Sequence, residues 1–263
     1  MSRVLAVAGV VLRGWLRRKE GYILLLLLMT LQYAVASMGA LGTGGTPLYL
    51  FDTGLLVSWL FGWVVAVHAG ASELPAEESR GTVFLLLAKP LGRGELVLGK
   101  WLGAFSAVTL CALGFHLLAV LTATASGFVP PFCVLAQAFL LHVVSLGLLT
   151  AMALAFSTRL NRDAAIATTA TVLLCLLLLV PRIPHLSLYA RGWRAWSLDA
   201  LYYILPHLEL FDLRRRILHG YGPVSADIFL LLAGYGAAWT AALLLAAWLL
   251  YRRRRFARDR LLE

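Results

Sequence analysis

The feature that most constrains this chain is a series of six apolar stretches. Each is close to the roughly 20 residues that a helix needs to cross a lipid bilayer. Apolar residues make up 61% of the 263-residue chain, against about 45–50% in soluble domains, so lipid must solvate much of this surface. The sequence therefore predicts an all-α, multi-pass integral membrane protein with six transmembrane helices at about 22–39, 55–71, 98–121, 131–156, 164–180 and 228–251.

Residues 1–20 precede the first span and form an amphipathic pattern. Apolar residues recur at spacings of three and four, while most of the basic residues lie off that stripe. The pattern predicts a helix on the cytoplasmic membrane surface, with an extension of the first span as the alternative. The apolar positions are Val4, Leu5, Ala8, Val11, Leu12, Trp15 and Leu16, and Val7 and Val10 blur the polar face.

The distribution of basic residues gives an orientation for the transmembrane domain, residues 21–251. Of 23 Lys and Arg, 17 lie in the N-terminal segment, the loop between spans two and three, the turn between spans four and five, and the tail at 252–263. The loops at 40–54 and 122–130 contain none. By the positive-inside rule, both termini are predicted to be cytoplasmic, as in a bacterial inner membrane.

The loop at 181–227 is predicted to be external although it holds the other six arginines. Long loops follow the positive-inside rule poorly. Trp193, Trp196, Tyr202 and Tyr203 indicate that this loop lies along the membrane interface, where amphipathic aromatic rings accumulate.

Polar residues inside the spans are few. His68, His116 and His142 fall within spans two, three and four, and no two share a helix at a spacing that could chelate a metal. We therefore predict interhelical hydrogen bonds and no metal site.

The three cysteines match neither a metal motif nor a disulfide framework. The net charge of +10 lies at the ends of apolar stretches, which indicates lipid headgroups and excludes a nucleic-acid-binding face.

The stretch 72–103 is the longest polar interruption on the cytoplasmic side. It contains, in order, three acidic residues, an Arg-Gly-Thr triplet, an apolar patch too short to span, Lys-Pro, Arg-x-Glu and Gly-Lys. From composition alone it reads as a solvated loop with an interfacial helix. The motif residues are Glu73, Glu77, Glu78, Arg80, Gly81, Thr82, Leu86, Leu87, Lys89, Pro90, Arg93, Glu95, Gly99 and Lys100.

This order of elements resembles the cytoplasmic loop of ABC-2 type transporter permeases. Leu205-Pro206, Phe211-Asp212 and His219-Gly220 also resemble a subgroup that includes permeases for nitrous-oxide-reductase maturation and gliding motility. The resemblance implies a permease without its own ATP chemistry, driven by separate ABC ATPase subunits, paired with a second permease, and acting as an exporter. The loop 72–100 would then couple to the ATPase, with Glu73 to Leu87 as the docking segment.

One segment of the sequence resembles a nucleotide-binding motif. Gly94 to Lys100 fits the start of a phosphate-binding loop, but Trp101 stands where Ser or Thr should bind magnesium, so ATP and magnesium are expected in the partner alone. No cofactor is expected in this chain, and no catalytic set is legible. The alternatives are a secondary transporter, an intramembrane enzyme, or a structural membrane subunit without an ATPase.

Overall fold

A computed structural model describes residues 3–39, 46–79 and 92–253, and these residues form helices without any β-strand. We number the α-helices in chain order. They are α1 Arg3–Leu16, α2 Glu20–Gly39, α3 Thr46–Ser79, α4 Arg93–Ala125, α5 Phe132–Ser157, α6 Arg162–Leu179, α7 Ile183–Tyr189, α8 Trp193–Ile204, α9 Arg214–Leu218 and α10 Ala226–Arg252, with 3-10 turns at Val180–Arg182 and Leu208–Phe211.

The predicted all-α membrane fold is confirmed. Within the described ranges, five helical segments are long and apolar enough to cross a membrane, and they correspond to predicted spans two to six. The first predicted span is α2, which meets the same criterion only together with α1, across a bend of 49°. The described residues therefore form a bundle with five or six helices that are long and apolar enough to cross a membrane.

Two helices extend well past the apolar stretches that predicted them. The second span was predicted to end at residue 71 and the third to begin at 98, whereas α3 continues to Ser79 and α4 begins at Arg93. The predicted loop 72–100 is thus mostly helical outside residues 80–92. Hydropathy marks the edge of the lipid and not the end of a helix, because Glu, Ala and Lys are good helix formers in water.

The bundle is centred on α3, which packs between α4 and α5. In the most apolar part of α3, 61% of the residues are buried, compared with 11% in α10. Large side chains such as Phe51, Trp59 and Phe115 fill the space between the three helices. The helices α2, α6 and α10 surround this core, so most of their surface faces outward toward lipid.

The N-terminal helix α1 packs closely against the start of α4. Val7, Val11 and Trp15 are its buried residues, whereas Leu5 and Leu16 are exposed. Sequence analysis placed Val7 on the polar face, and that assignment was wrong. The apolar residues of α1 divide between two faces, one against α4 and one directed outward. The amphipathic pattern did not show which of these faces packs against protein.

Two glycines of α4 make this close approach possible. A methyl group at Gly99 would lie 2.7 Å from Cβ of Val7, and one at Gly103 would lie 2.5 Å from Cβ of Val11 and 2.7 Å from the carbonyl oxygen of Ala8. Small residues four apart let helix backbones approach closely in membranes. The small residues Gly99 and Gly103 therefore form the surface of α4 on which α1 packs.

The segment between α6 and α10 folds back onto the bundle. Its helices α7 and α8 carry exposed aromatic residues, including Trp193, Trp196 and Tyr203, as expected of an interfacial segment. Part of its second half is buried, with Phe211 and Ile217 packed against the core, while residues 219–223 are exposed. The side-chain amide of Gln137 on α5 donates to the carbonyl of Val224 and accepts from its N–H, both at 2.9 Å. This pair of hydrogen bonds fixes the chain just before the start of α10.

We expect Gly103→Ala to destabilise the protein by about 1–3 kcal/mol, because the new methyl group overlaps α1, including its backbone. Thermal unfolding of the purified protein in detergent, followed by tryptophan fluorescence, would measure the effect. Gly9→Ala is the matched control, since nothing lies within 4 Å of its added methyl group. Equal melting temperatures for the two variants would contradict the close packing of α1 on α4.

Candidate functional site

The predicted motif residues that the structure describes gather at one end of the bundle, around a buried lysine. The ammonium group of Lys100 lies 2.5 Å from Oε1 of Glu77 and 3.3 Å from Oε2 of Glu73. The side chains of Lys100 and Glu73 are only 5% and 7% exposed, and that of Glu77 is 23% exposed. Because a buried charge is costly unless it is paired, these contacts fix the start of α4 against the end of α3.

The N-terminal helix joins the same group. The indole Nε1 of Trp15 donates a hydrogen bond of 2.9 Å to Oε1 of Glu73. Glu73 therefore accepts from α1 and pairs with α4 while it belongs to α3. We call Trp15, Glu73, Glu77 and Lys100 the Lys100 cluster. It joins three helices through polar contacts that are largely shielded from water.

The Arg-x-Glu part of the motif stabilises helix ends. Nη1 of Arg93 donates to the carbonyl oxygens of Tyr251 and Arg252 at 3.3 and 2.6 Å, in the last turn of α10. Unpaired carbonyls and the helix dipole both favour a cation at this position. Glu95 accepts from the backbone N–H of Gly92 at 2.8 Å and so caps the start of α4. Arg93 thus attaches α10 to the same end of the bundle.

The structure brings part of the predicted site together and leaves part untested. The described members are Glu73, Glu77, Arg93, Glu95, Gly99 and Lys100, and all make contacts within the chain. Glu73, which was predicted to lie in the docking segment, is buried by α1 and α4 and contacts Trp15 and Lys100. The side chain of Glu78 and the residues Arg80, Gly81, Thr82, Leu86, Leu87, Lys89 and Pro90 lie outside the described residues.

The segment that mimics a phosphate-binding loop has a different structure. Residues 94–100 are helical at the start of α4, and from Leu96 onward their backbone N–H groups take part in helical hydrogen bonds, so this segment does not form a loop around an anion. The side chain of Lys100, which would contact phosphate in such a loop, is paired with two glutamates. This geometry matches a buried structural lysine.

The histidines behave differently from one another. Nη2 of Arg162 on α6 donates to Nε2 of His68 on α3, so His68 makes the expected contact between helices. His116 instead bonds the carbonyl of Ala112 in its own helix, at 2.9 Å. His142 is fully buried between Trp59 and His116, with ring centroids 4.1 and 5.2 Å away. Neither nitrogen of His142 has a protein hydrogen-bond partner, so the predicted interhelical hydrogen bond is wrong for this residue.

Sequence reasoning missed Trp15 and Arg162 as members of this end of the bundle. Trp15 was placed on the apolar stripe of α1, and its N–H donor was the only signal that a buried acceptor should be sought. Arg162 was counted as an orientation charge. Among residues 3–39, 46–79 and 92–253, no three His, Cys, Asp or Glu side chains are placed to hold a metal ion.

Comparison with known proteins gives the family of this chain. The sequence profile described as "ABC-2 family transporter protein" matches residues 56–253, which is most of the chain and includes α4, α5, α6 and α10 in full. The chain belongs to the ABC-2 transporter family. The match includes the whole of the motif stretch and the Lys100 cluster apart from Trp15.

A curated relative agrees with this assignment. The chain is 34% identical over 92 residues to a Pseudomonas aeruginosa protein named "Probable ABC transporter permease protein NosY". That alignment covers 34% of this chain and 33% of the relative, so the chain matches about a third of the relative's length. Together with the apolar helices, the family assignment makes this a multi-pass membrane protein.

We expect Lys100→Met to cost about 3 kcal/mol or more of stability, because it leaves the buried carboxylate of Glu73 without its cation. The double variant Glu73→Gln, Lys100→Met removes the stranded charge and should recover much of that loss. Thermal unfolding in detergent would compare both with Lys19→Met, which removes an exposed lysine. A double variant no more stable than Lys100→Met would show that Glu73 and Lys100 are not coupled.

Proposed function

We propose that this chain is the permease subunit of an ABC transporter and that segment 80–91 receives force from a separate ATPase subunit. Family membership supports the permease assignment. The observation that carries the coupling proposal is the Lys100 cluster, which joins the two helices that flank that segment in the sequence. A chain without ATP chemistry of its own must take its energy from a partner, and ATP and magnesium are assigned to that partner.

The geometry suits the transfer of force. The two helices that flank segment 80–91 are joined by the buried pairs of Lys100 with Glu73 and Glu77. Trp15 connects them to α1, and Arg93 connects them to α10. A push on the segment would therefore move the ends of four helices together, because packed, hydrogen-bonded elements move as rigid bodies more readily than they deform.

The surface that docks the ATPase is proposed to be the segment itself. Its sequence combines Arg80, Lys89 and an apolar patch at residues 83–88, a combination suited to a groove in which charges set the register and apolar side chains provide affinity. Glu77, whose side chain is 23% exposed, is the described acidic residue closest in sequence to this segment. Glu73 is more deeply buried than Glu77, and its proposed role is to hold Lys100 in place.

The assembly would contain a second permease subunit, and the direction of transport would be export. Two bundles would form a path between them that opens alternately as ATP binds and is hydrolysed. The basic residues of α1, α4, α6 and α10 meet at the same end of the bundle in the structure, and by the positive-inside rule we place this end in the cytoplasm. An ATPase would reach it there.

Gly81→Trp tests the docking segment. Co-expressed with an ABC ATPase encoded beside it, the wild-type chain should retain that ATPase during purification and alter its rate of ATP hydrolysis in proteoliposomes. We expect Gly81→Trp to weaken retention at least tenfold, because a large side chain would prevent close contact with the partner, while membrane insertion and melting temperature stay unchanged. Gly222→Trp, at the opposite end of the bundle, is the control.

Two outcomes would decide against the proposal. Equal retention of the ATPase by Gly81→Trp and the wild type would place the docking surface elsewhere. Purification of the active wild-type protein without any ATPase would favour the alternative function, a secondary transporter or a structural membrane subunit.

A further inference from the structure

A lateral groove lies between α1, α2 and α3, beside the Lys100 cluster. Its volume is about 330 Å³, and its lining is almost entirely apolar. Ligand sites in proteins occupy about 300–1,000 Å³, so the groove can accept part of a large apolar ligand. The lining residues are Trp15, Ile23, Leu24, Val64, Val65 and His68.

Two arginines, Arg18 in the turn between α1 and α2 and Arg162 at the start of α6, contact two side chains that line this groove. The guanidinium carbon of Arg18 lies 4.8 Å from the centroid of the Trp15 ring, and Arg162 donates to His68. The rings of Trp15 and His68 are 5.6 Å apart in an edge-on contact, so the two guanidinium groups contact neighbouring rings of the groove lining. No carboxylate in the described part of the chain forms an ion pair with either arginine. The two carboxylates of the neighbouring Lys100 cluster are offset by Lys100 and the two arginines together, which leaves this end of the groove with a net positive formal charge.

The rest of the groove leads away from that charge into the apolar zone. Val64 is one helical turn deeper than His68, counted from the end of α3 that carries the Lys100 cluster. Val64 and Ile23 are 56% and 61% exposed, so the groove is open at its side. In a membrane that open side faces acyl chains, while the arginine end lies near the headgroups. A cationic end joined to an apolar trough complements an amphiphile with an anionic head.

We propose that this groove binds an anionic phospholipid. The phosphate of the lipid lies between Arg18 and Arg162, and one acyl chain lies along Val64 and Ile23. Arginine is well suited to phosphate because it offers several donors in a fixed plane. The bound lipid would hold the junction of α1 and α2 against α3 and α6, and through Trp15 it would touch the helix that completes the Lys100 cluster. This inference is independent of the proposed ATPase coupling.

Native mass spectrometry of the delipidated full-length protein tests the charge half of the proposal. Phosphatidylglycerol and phosphatidylcholine with identical acyl chains would be titrated separately. We expect the wild type to bind phosphatidylglycerol more tightly. Arg18→Gln and Arg162→Gln should each weaken that binding about fivefold, the effect of about one basic residue near an anionic headgroup, and leave phosphatidylcholine binding unchanged. Arg159→Gln, which removes an exposed arginine three residues from Arg162, is the control.

Val64→Trp tests the trough separately. This variant fills the groove from an exposed position, so it should fold and should weaken the binding of both lipids. Leu60→Trp, one turn away at a position that is 45% exposed but does not line the groove, should not. Equal effects of Arg159→Gln and Arg162→Gln, or unchanged binding in Val64→Trp, would overturn the proposal. Competition by inorganic phosphate at equal concentration would show an anion site and not a lipid site, and would also overturn it.

Discussion

The arrangement of this protein depends on one desolvated lysine. Lys100 belongs to a helix that is apolar for most of its length, and burial of its ammonium group would be unfavourable without nearby carboxylates. Glu73 and Glu77 supply them from α3, which sets both the separation and the register of the two helices at this end. Trp15 adds the third helix by donating to one of the same carboxylates. A single buried charge thereby determines which parts of α1, α3 and α4 are neighbours.

The start of α4 presents two surfaces that act together. Gly99 and Gly103 lie four residues apart on one face and admit the backbone of α1, while Lys100 is rotated by about 100° and points to α3. The glycines give close van der Waals packing, which drives helix association in lipid, where the hydrophobic effect between helices is weak. The lysine gives orientation, since an ion pair is satisfied in only a few geometries. Gly99 thus helps to set how closely α1 approaches α4, and the adjacent Lys100 sets the register of α4 against α3.

The sequence predicted the helices well because lipid imposes a simple rule on composition and length. It predicted helix ends poorly: α3 reaches Ser79 through Glu73 and Glu77, which hydropathy assigns to a loop. The partner of Lys100 could not be predicted for the same reason, because the pair forms only when α3 continues past the apolar stretch. His142 was misjudged because its neighbours Trp59 and His116 come from two other helices, α3 and α4. The buried part of the segment 181–227, which includes Phe211 and Ile217, had no periodic pattern to reveal it.

The family motif therefore combines two kinds of residue that sequence alone cannot separate. Arg93, Glu95, Gly99 and Lys100 are engaged within the chain, where they cap helices, admit α1 or pair with glutamates. Residues 80–91, between the two anchored helices, are the part of the motif available for a partner under the proposed function. Substitutions in the first group change the scaffold before they change any interaction, whereas substitutions in the second group test the proposed docking segment. A loss of activity at Lys100 is evidence about coupling only when the fold of the variant has been shown to persist.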